Sequence, residues 1–262
     1  MTELDESLAL QSSGVGAWRA YADPRREAFG TTYGGWIAAI LLKAVLDDSR
    51  AEGTPSALTV HFLVQISPGS QLRLVARSLG AGRSLSFWHS ELTVDDAETP
   101  AALATVVLAK RKEGEAFTDL PMPEVPLPDA LPEAHPPGAF GERSVIRAVT
   151  GVPPYNRTDS RSITWIRETS GRALDYVQLA YLSDHYAPRV FFRSPRPRPY
   201  ATVTLSMYFH AGEAELRALG DDYVLIDARG SRAEASTVGS RVELWSRDGK
   251  LLATTEQLGW FR

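Results

Sequence analysis

The chain has no cysteine among its 262 residues, which removes disulfide frameworks, thiolate nucleophiles and Cys-ligated zinc together and is compatible with a reducing compartment. Histidine is sparse. His61, His89, His135, His185 and His210 are scattered, with no HExxH run and no i, i+4 pair, so no metal site and no other cofactor is expected. Long apolar runs are missing as well: the longest, Trp36 to Leu42, is far below the roughly 20 residues that cross a bilayer. The N-terminus, MTELDESLAL, carries acids where a secretory signal carries basic residues, and a soluble, cytoplasmic protein is expected. There is no excess of positive charge either. With 28 Lys and Arg against 32 Asp and Glu, the net charge is -4, which argues against nucleic acid or an anionic membrane as a main partner.

What remains is an ordinary globular composition, 44% apolar and 23% charged, enough to bury a sizeable core. The first helix signal is GGWIAAILLKAV. Thr31 or Thr32 precedes it as a candidate N-cap, and Ala38, Leu41, Leu42 and Val45 share one face. The other faces are nearly as apolar, Lys43 excepted, so the helix should be buried on most sides. Four strand-like runs follow, over 57–66, 71–79, 84–94 and 101–111, separated by turn signals of antiparallel meander length. The composition then changes. LPMPEVPLPDALPEAHPPG holds seven prolines, and proline, with fixed φ and no N–H, cannot build helix or central strand. A semi-rigid linker over 113–155 is expected to divide an N-terminal unit, 1–112, from a C-terminal one, 156–262.

The second unit repeats the order of the first. A strand, SITWIRE (162–168), leads to a helix in GRALDYVQLAYLSDHYA and to strands at 201–210, 222–229, 236–246 and 251–260. ALTVHFLVQI lies beside TVTLSMYFHA and AALATVVL beside KLLATTEQL, at a period of about 150 residues, the mark of a tandem duplication. An antiparallel sheet with one long apolar helix buries that helix by curling around it. Two such units would pair as pseudo-twofold halves, giving an α+β fold, with exposed sheet edges that favour a homo-oligomer.

Within the second helix one carboxylate is out of place. Asp184 falls on the stripe of Tyr181, Val177 and Leu174, facing the core. Burial without partners raises an acid's pKa, and the negative end of the helix dipole adds to this, as suits a general base. The plainer alternative is an ion pair with Arg189 or Arg193. GRSLS (82–86) lacks the second glycine of a nucleophile elbow and reads as a turn.

At this point the sequence resembles the acyl-CoA thioesterase II type of double-hotdog proteins. The resemblance rests on FGTTYGGWIAA, HFLVQISPG, SITWIRE, LAYLSDHYAP, ATVTLSMYFH and LLATTEQLGWFR. It implies a double hotdog, two tandem repeats that each wrap a long helix in a curled antiparallel sheet. It also implies hydrolysis of an acyl-CoA to a free acid and CoA. Carried over by position, the catalytic residues are Asp184, Thr202 and Gln257, which jointly hold the attacking water. The backbone near Gly35 is suited to bind the oxyanion. Gly34 lets a ligand approach the backbone, and Trp36 stands where the family often has a polar residue. Arg193 and Arg196, with Arg198, form the concentrated basic stretch suited to CoA phosphates, against the plainer reading of a solvated loop. Trp36, Phe62, Trp88 and Tyr208 are candidate pocket liners.

Shifted by the repeat, Asp184, Thr202 and Gln257 fall near Ala39, Ala57 and Leu108; one of two pseudo-equivalent sites should therefore keep the chemistry. A non-hydrolytic acyl-thioester-binding protein of the same fold is the alternative.

Overall fold

The computed structural model describes residues 1–95, 97–150, 156–196 and 198–262. Helices α1 (Glu3–Ser7), α2 (Gly34–Leu46), α3 (Tyr176–Leu182) and α4 (Glu213–Leu219) accompany a large antiparallel sheet. The strands of the first half are β1 (Gln11–Gly14), β2 (Ala17–Tyr21), the small pair β3 (Glu27–Ala28) and β4 (Thr31–Thr32), then β5 (Thr54–Phe62), β6 (Gln71–Ala81), β7 (Leu85–Val94) and β8 (Ala102–Ala109). Those of the second are β9 (Ser144–Thr150), β10 (Ser162–Glu168), β11 (Tyr200–Phe209), β12 (Val224–Glu234), β13 (Thr237–Trp245) and β14 (Leu251–Phe261).

Leaving out β3 and β4, the strands form one 12-stranded sheet in the order β1-β2-β6-β7-β8-β5-β11-β14-β13-β12-β10-β9. That order is the same from either end once β5 is matched with β11, β8 with β14, β7 with β13, β6 with β12, β2 with β10 and β1 with β9. At its centre β5 pairs with β11, Val60 opposite Leu205, and the hydroxyls of Thr59 and Ser206 lie 3.2 Å apart.

Helix α2 is held by packing and not by its cap. The N-cap is Tyr33, which makes no side-chain cap bond, while Thr31 and Thr32, the expected caps, are taken up in β4. A missing cap costs about 1 kcal/mol. Burial of Ile37, Ile40, Leu41, Leu42 and Val45 contributes about 1.5–3 kcal/mol for each side chain, so the core decides.

Helix α3 corrects the expectation of a long second helix: it spans only Tyr176–Leu182. Its start is set by Asp175, whose carboxylate accepts from Gln178 N at 2.8 Å and is held by Arg172. Its end is set by Ser183 and His185 N, which bond back to Ala180 O and Leu182 O. Asp184 therefore lies in the turn after the helix and not on its face.

The proline-rich stretch packs as a second layer on the sheet. Met122, Val125 and Leu131 cover a cluster of Val145, Ile163, Trp165, Tyr223, Leu225 and Trp245 that is separate from the main core. Trp165 Nε1 donates to Pro126 O at 2.9 Å, and Arg247 pairs with Asp129 at 2.7 Å. Two-sided burial explains the unbroken apolar run at the start of β12. Strand β9 also lies inside the 113–155 stretch, and the edge strand pairs with β10. The two halves are further joined by a buried ion pair, Arg26 to Glu168 at 3.3 Å, with Tyr181 OH 3.2 Å from the same Arg26 nitrogen. Among the described residues, no helix is long and apolar enough to cross a membrane.

Candidate functional site

The site forms where the N-terminus of α2 meets the turn after α3. These elements approach closely because Gly35 has no side chain: a Cβ there would overlap Tyr181 O and lie 2.6 Å from Tyr33 Oη. A Cβ on Gly34 would lie 2.5 Å from Asp184 Oδ2, with Phe62 beside it at 3.6 Å. Both glycines are thus required by tertiary approach. Their φ angles are ordinary.

Asp184 is half-buried. Its Oδ1 accepts from Gln257 Nε2 at 2.6 Å, and the Gly35 N–H is directed at the same carboxylate. Burial is the largest influence and raises its pKa, the Gln257 and Gly35 bonds pull it down, and the balance lies at about 6. The carboxylate lies at the end of α3, whose dipole disfavours the anion, and also at the N-terminus of α2, where backbone donors favour it. Three phenols stand in the field of this carboxylate, Tyr33, Tyr186 and Tyr200; burial first, then the charge of Asp184, raises each, that of Tyr200 to about 12. All three are neutral donors at ordinary pH.

Gln257 is buried on the inner face of β14, with Ala253, Thr255, Gly259 and Phe261 at the same alternation. Thr202 reaches that face through a bulge. Leu205 stands opposite Gln257 and Thr202 opposite Gly259, so Val203 is an extra residue on β11. Without the bulge, the odd separation of 202 from 205 would turn Thr202 outward. Thr202 stands beside the Tyr200 phenol, whose ring lies against Gly259. Among the described residues Thr202 makes no hydrogen bond to Asp184 or Gln257.

Other expected site residues lie elsewhere. Trp36 is fully enclosed and donates from Nε1 to Ser7 Oγ at 3.3 Å, so it is a core residue and leaves no face for a substrate. Of the other candidate liners, Trp88 is buried in the sheet core, Tyr208 is 51% exposed, and Phe62 alone lies at the site. Arg193 is exposed and donates to Thr158 O, Arg196 is exposed, and Arg198 donates to Arg262 O at 2.6 Å and lies over Phe261. Arg189 forms no ion pair with Asp184. It is buried and donates to the carbonyls of Ala187, Ser160 and Ala228 and to Ser162 Oγ. Tyr186 and Tyr200 are not among the residues expected from sequence, although each stands two residues from a candidate site residue, and in a strand that spacing puts Tyr200 and Thr202 on one face.

The first half offers no polar counterpart on β8, where Ala102, Ala104, Val106 and Leu108 are buried and apolar, nor at Ala39. A surface cavity of about 370 Å³ lined by Leu127, Leu219, Asp222, Arg247 and Asp248 shares no residue with the Asp184 cluster.

Comparison with known proteins bears on the whole chain. Residues 22–109 match the model of the acyl-CoA thioesterase N-terminal domain, and residues 121–261 that of the acyl-CoA thioesterase C-terminal domain. Among curated proteins none matches. Among solved structures, a conserved protein of unknown function with a hot dog fold from Alicyclobacillus acidocaldarius is 29% identical. It superposes with a TM-score of 0.94 over 100% of this chain and 98% of that one. The tesB protein of Mycobacterium avium subsp. paratuberculosis, 20% identical, gives 0.83 over 99% and 98%, and an acyl-CoA thioesterase II from Mycobacterium marinum, 19% identical, gives 0.77 over the same shares. The hot dog fold and both matched halves agree with the resemblance read from the motifs: the chain belongs to the acyl-CoA thioesterase family.

Proposed function

We propose that this protein is a double-hotdog thioesterase, two tandem repeats around α2 and α3, that hydrolyses an acyl-CoA to a free carboxylic acid and CoA. The observation that carries this reading is the Asp184 carboxylate, held by Gln257 Nε2 at 2.6 Å and set against the first turn of α2 at Gly34 and Gly35, with a pKa raised to about 6. Such a group is ionised at neutral pH and still basic enough to take a proton from water.

In the reaction, water held by Asp184, Gln257 and Thr202 attacks the thioester carbonyl carbon. Its proton passes to Asp184, and the carbonyl electron pair moves onto oxygen. The resulting oxyanion is placed toward the positive N-terminus of α2, at the Gly34 N–H, since the Gly35 N–H is turned to Asp184. Collapse re-forms the carbonyl, breaks the C–S bond and releases CoA as the thiolate, which takes up a proton in solvent or from Asp184. No covalent enzyme intermediate is needed, since a positioned water loses little entropy on reaching the transition state. Arg193 and Arg196 are assigned to the CoA phosphates, their guanidinium groups standing exposed beside the turn that leads to β11. Cytoplasmic lipid metabolism is the setting in which hydrolysis of an acyl-CoA would act. The edge strand β1 is where a homo-oligomer would form.

The test is thiol release from a panel of acyl-CoAs by the parent and by Asp184→Asn. Hydrolysis by the parent that the substitution abolishes is the expected result. Binding without turnover across the panel would replace the enzyme by an acyl-thioester-binding protein. Equal rates in the two would remove Asp184 from the mechanism.

A further inference from the structure

His185 takes no part in the reaction just described, yet it is buried beside Asp184 and tied to the same two helices. Its Nδ1 lies 3.3 Å from Tyr33 Oη, and Tyr33 Oη lies 2.9 Å from Tyr181 O. A carbonyl can only accept, so the phenol hydrogen goes to Tyr181 O, and the phenol oxygen accepts from His185 Nδ1–H. That fixes the tautomer and leaves Nε2 as a bare acceptor, buried and without a partner among the described residues. Burial holds the imidazole neutral by pushing its pKa down to about 3. A titrating or metal-binding role gains nothing from this arrangement; a fixed donor does.

The couple spans both sides of the Asp184–Gly35 contact. Tyr33 is the N-cap of α2, its carbonyl accepting from Trp36 N at 3.1 Å and Ile37 N at 3.2 Å. His185 follows Asp184 directly in the turn after α3. Phe140, in a short helical turn at the end of the proline-rich stretch, covers both rings. It stacks on Tyr33 with centroids 4.6 Å apart and meets His185 edge-on at 5.1 Å. The first-turn N–H of one helix and the carboxylate beyond the other are thus joined by a polar link that is shielded from water.

We infer that Tyr33 and His185, covered by Phe140, are positioning residues that set the Asp184 carboxylate against the Gly35 N–H. The inference rests on the reading of Asp184 as the base. The other titratable groups around that carboxylate are the phenols of Tyr186 and Tyr200; Arg189 lies over the ring of Tyr186, and the Arg26–Glu168 pair lies beyond Tyr181. None of these belongs to the Tyr33–His185 link, so substitutions in the link leave them in place.

The experiment compares kcat and KM across pH for the full chain carrying Tyr33→Phe, His185→Leu, His185→Asn and, as reference, Asp184→Asn. Tyr33→Phe and His185→Leu should lower kcat by about tenfold or more with KM within about twofold, since positioning acts on the transition state. Both should also move the acid limb of the profile upward, because the carboxylate loses the Gly35 donor that favours its anion. His185→Asn returns a side-chain N–H near the position of Nδ1–H and should restore kcat to within about threefold. Unchanged kcat and acid limb in Tyr33→Phe and His185→Leu would overturn the inference, as would a loss in His185→Asn equal to that in His185→Leu. If His185→Leu fails to fold, Tyr33→Phe, which removes a single oxygen, decides. Asp184→Asn as active as the parent sinks the base reading itself. An inactive Asp184→Asn beside fully active Tyr33 and His185 variants sinks only the positioning role.

Discussion

Replacing Asp184 by asparagine keeps the shape of the side chain and removes its charge, and the structure sets the size of two opposite effects. The carboxyl titrates at about 6 against an ordinary value of 3.8, chiefly because of burial. At roughly 1.4 kcal/mol per decade, holding it ionised costs the folded chain at most about 3 kcal/mol, and less to the extent that solvent reaches the half-buried group. A carboxyl raised in this way binds its proton more tightly in the folded state than in the unfolded one. Its contribution to stability is fully present below 3.8 and is lost as pH rises through about 6.

Asparagine does not titrate, so its advantage over the parent should open across that window and reach about 1–3 kcal/mol near pH 8. For a chain of this size that is a Tm higher by roughly 2–8 °C. Activity moves the other way, with kcat lowered by about 100-fold or more, while kcat/KM of the parent should fall on the acid side with a midpoint near 6. Thermal unfolding at about pH 4.5, 6 and 8, run beside thiol-release assays, reads both effects. Parallel stability curves for parent and variant across this range would refute the burial argument.

Gly259→Ala places a Cβ 2.5 Å from Tyr200 Cζ; overpacking of about 1–3 kcal/mol should push the ring off Thr202 and lower kcat, and an unaltered rate with an unaltered Tm would show that the ring has room to move. Changing Arg193, Arg196 and Arg198 together to alanine should raise KM for acyl-CoA severalfold and flatten its salt dependence; no change in either removes the phosphate role. Arg26→Ala leaves Glu168 buried without its cation, with side-chain exposure of 0% on both partners, and should cost about 3–5 kcal/mol. Replacing both members by methionine should recover much of that loss, as chemical denaturation of the three chains would show.

The strands at 162–168 and 251–260 follow from alternation within the chain itself, and β10 and β14 begin where the pattern begins. The burial of α2 on most sides follows from the same kind of evidence, because an all-round apolar helix has nowhere else to go. Strands β2 and β9 were not legible: β2 is a short run with an exposed arginine at its middle, and β9 follows a proline-rich stretch whose composition argues for linker. GRALDYVQLAYL keeps helical periodicity over more residues than α3 contains, because Arg172 engages Asp175 and Asp5 and so fixes the cap four residues downstream of Gly171.

The sequence by itself determined the sheet-and-helix order, its repetition, and the presence of Asp184, Thr202 and Gln257 at element ends and on strands, since these depend on periodicities of two and 3.6 residues along one chain. Only the tertiary structure decided which groups meet. It laid Gln257 Nε2 on Asp184, turned Thr202 inward through the bulge at Val203, sealed Trp36 against Ser7 and brought the Gly35 N–H to a carboxylate far away in sequence. Such contacts are settled by ångström-scale packing between distant elements, where one absent Cβ or one extra residue changes the partner, and no local pattern records that.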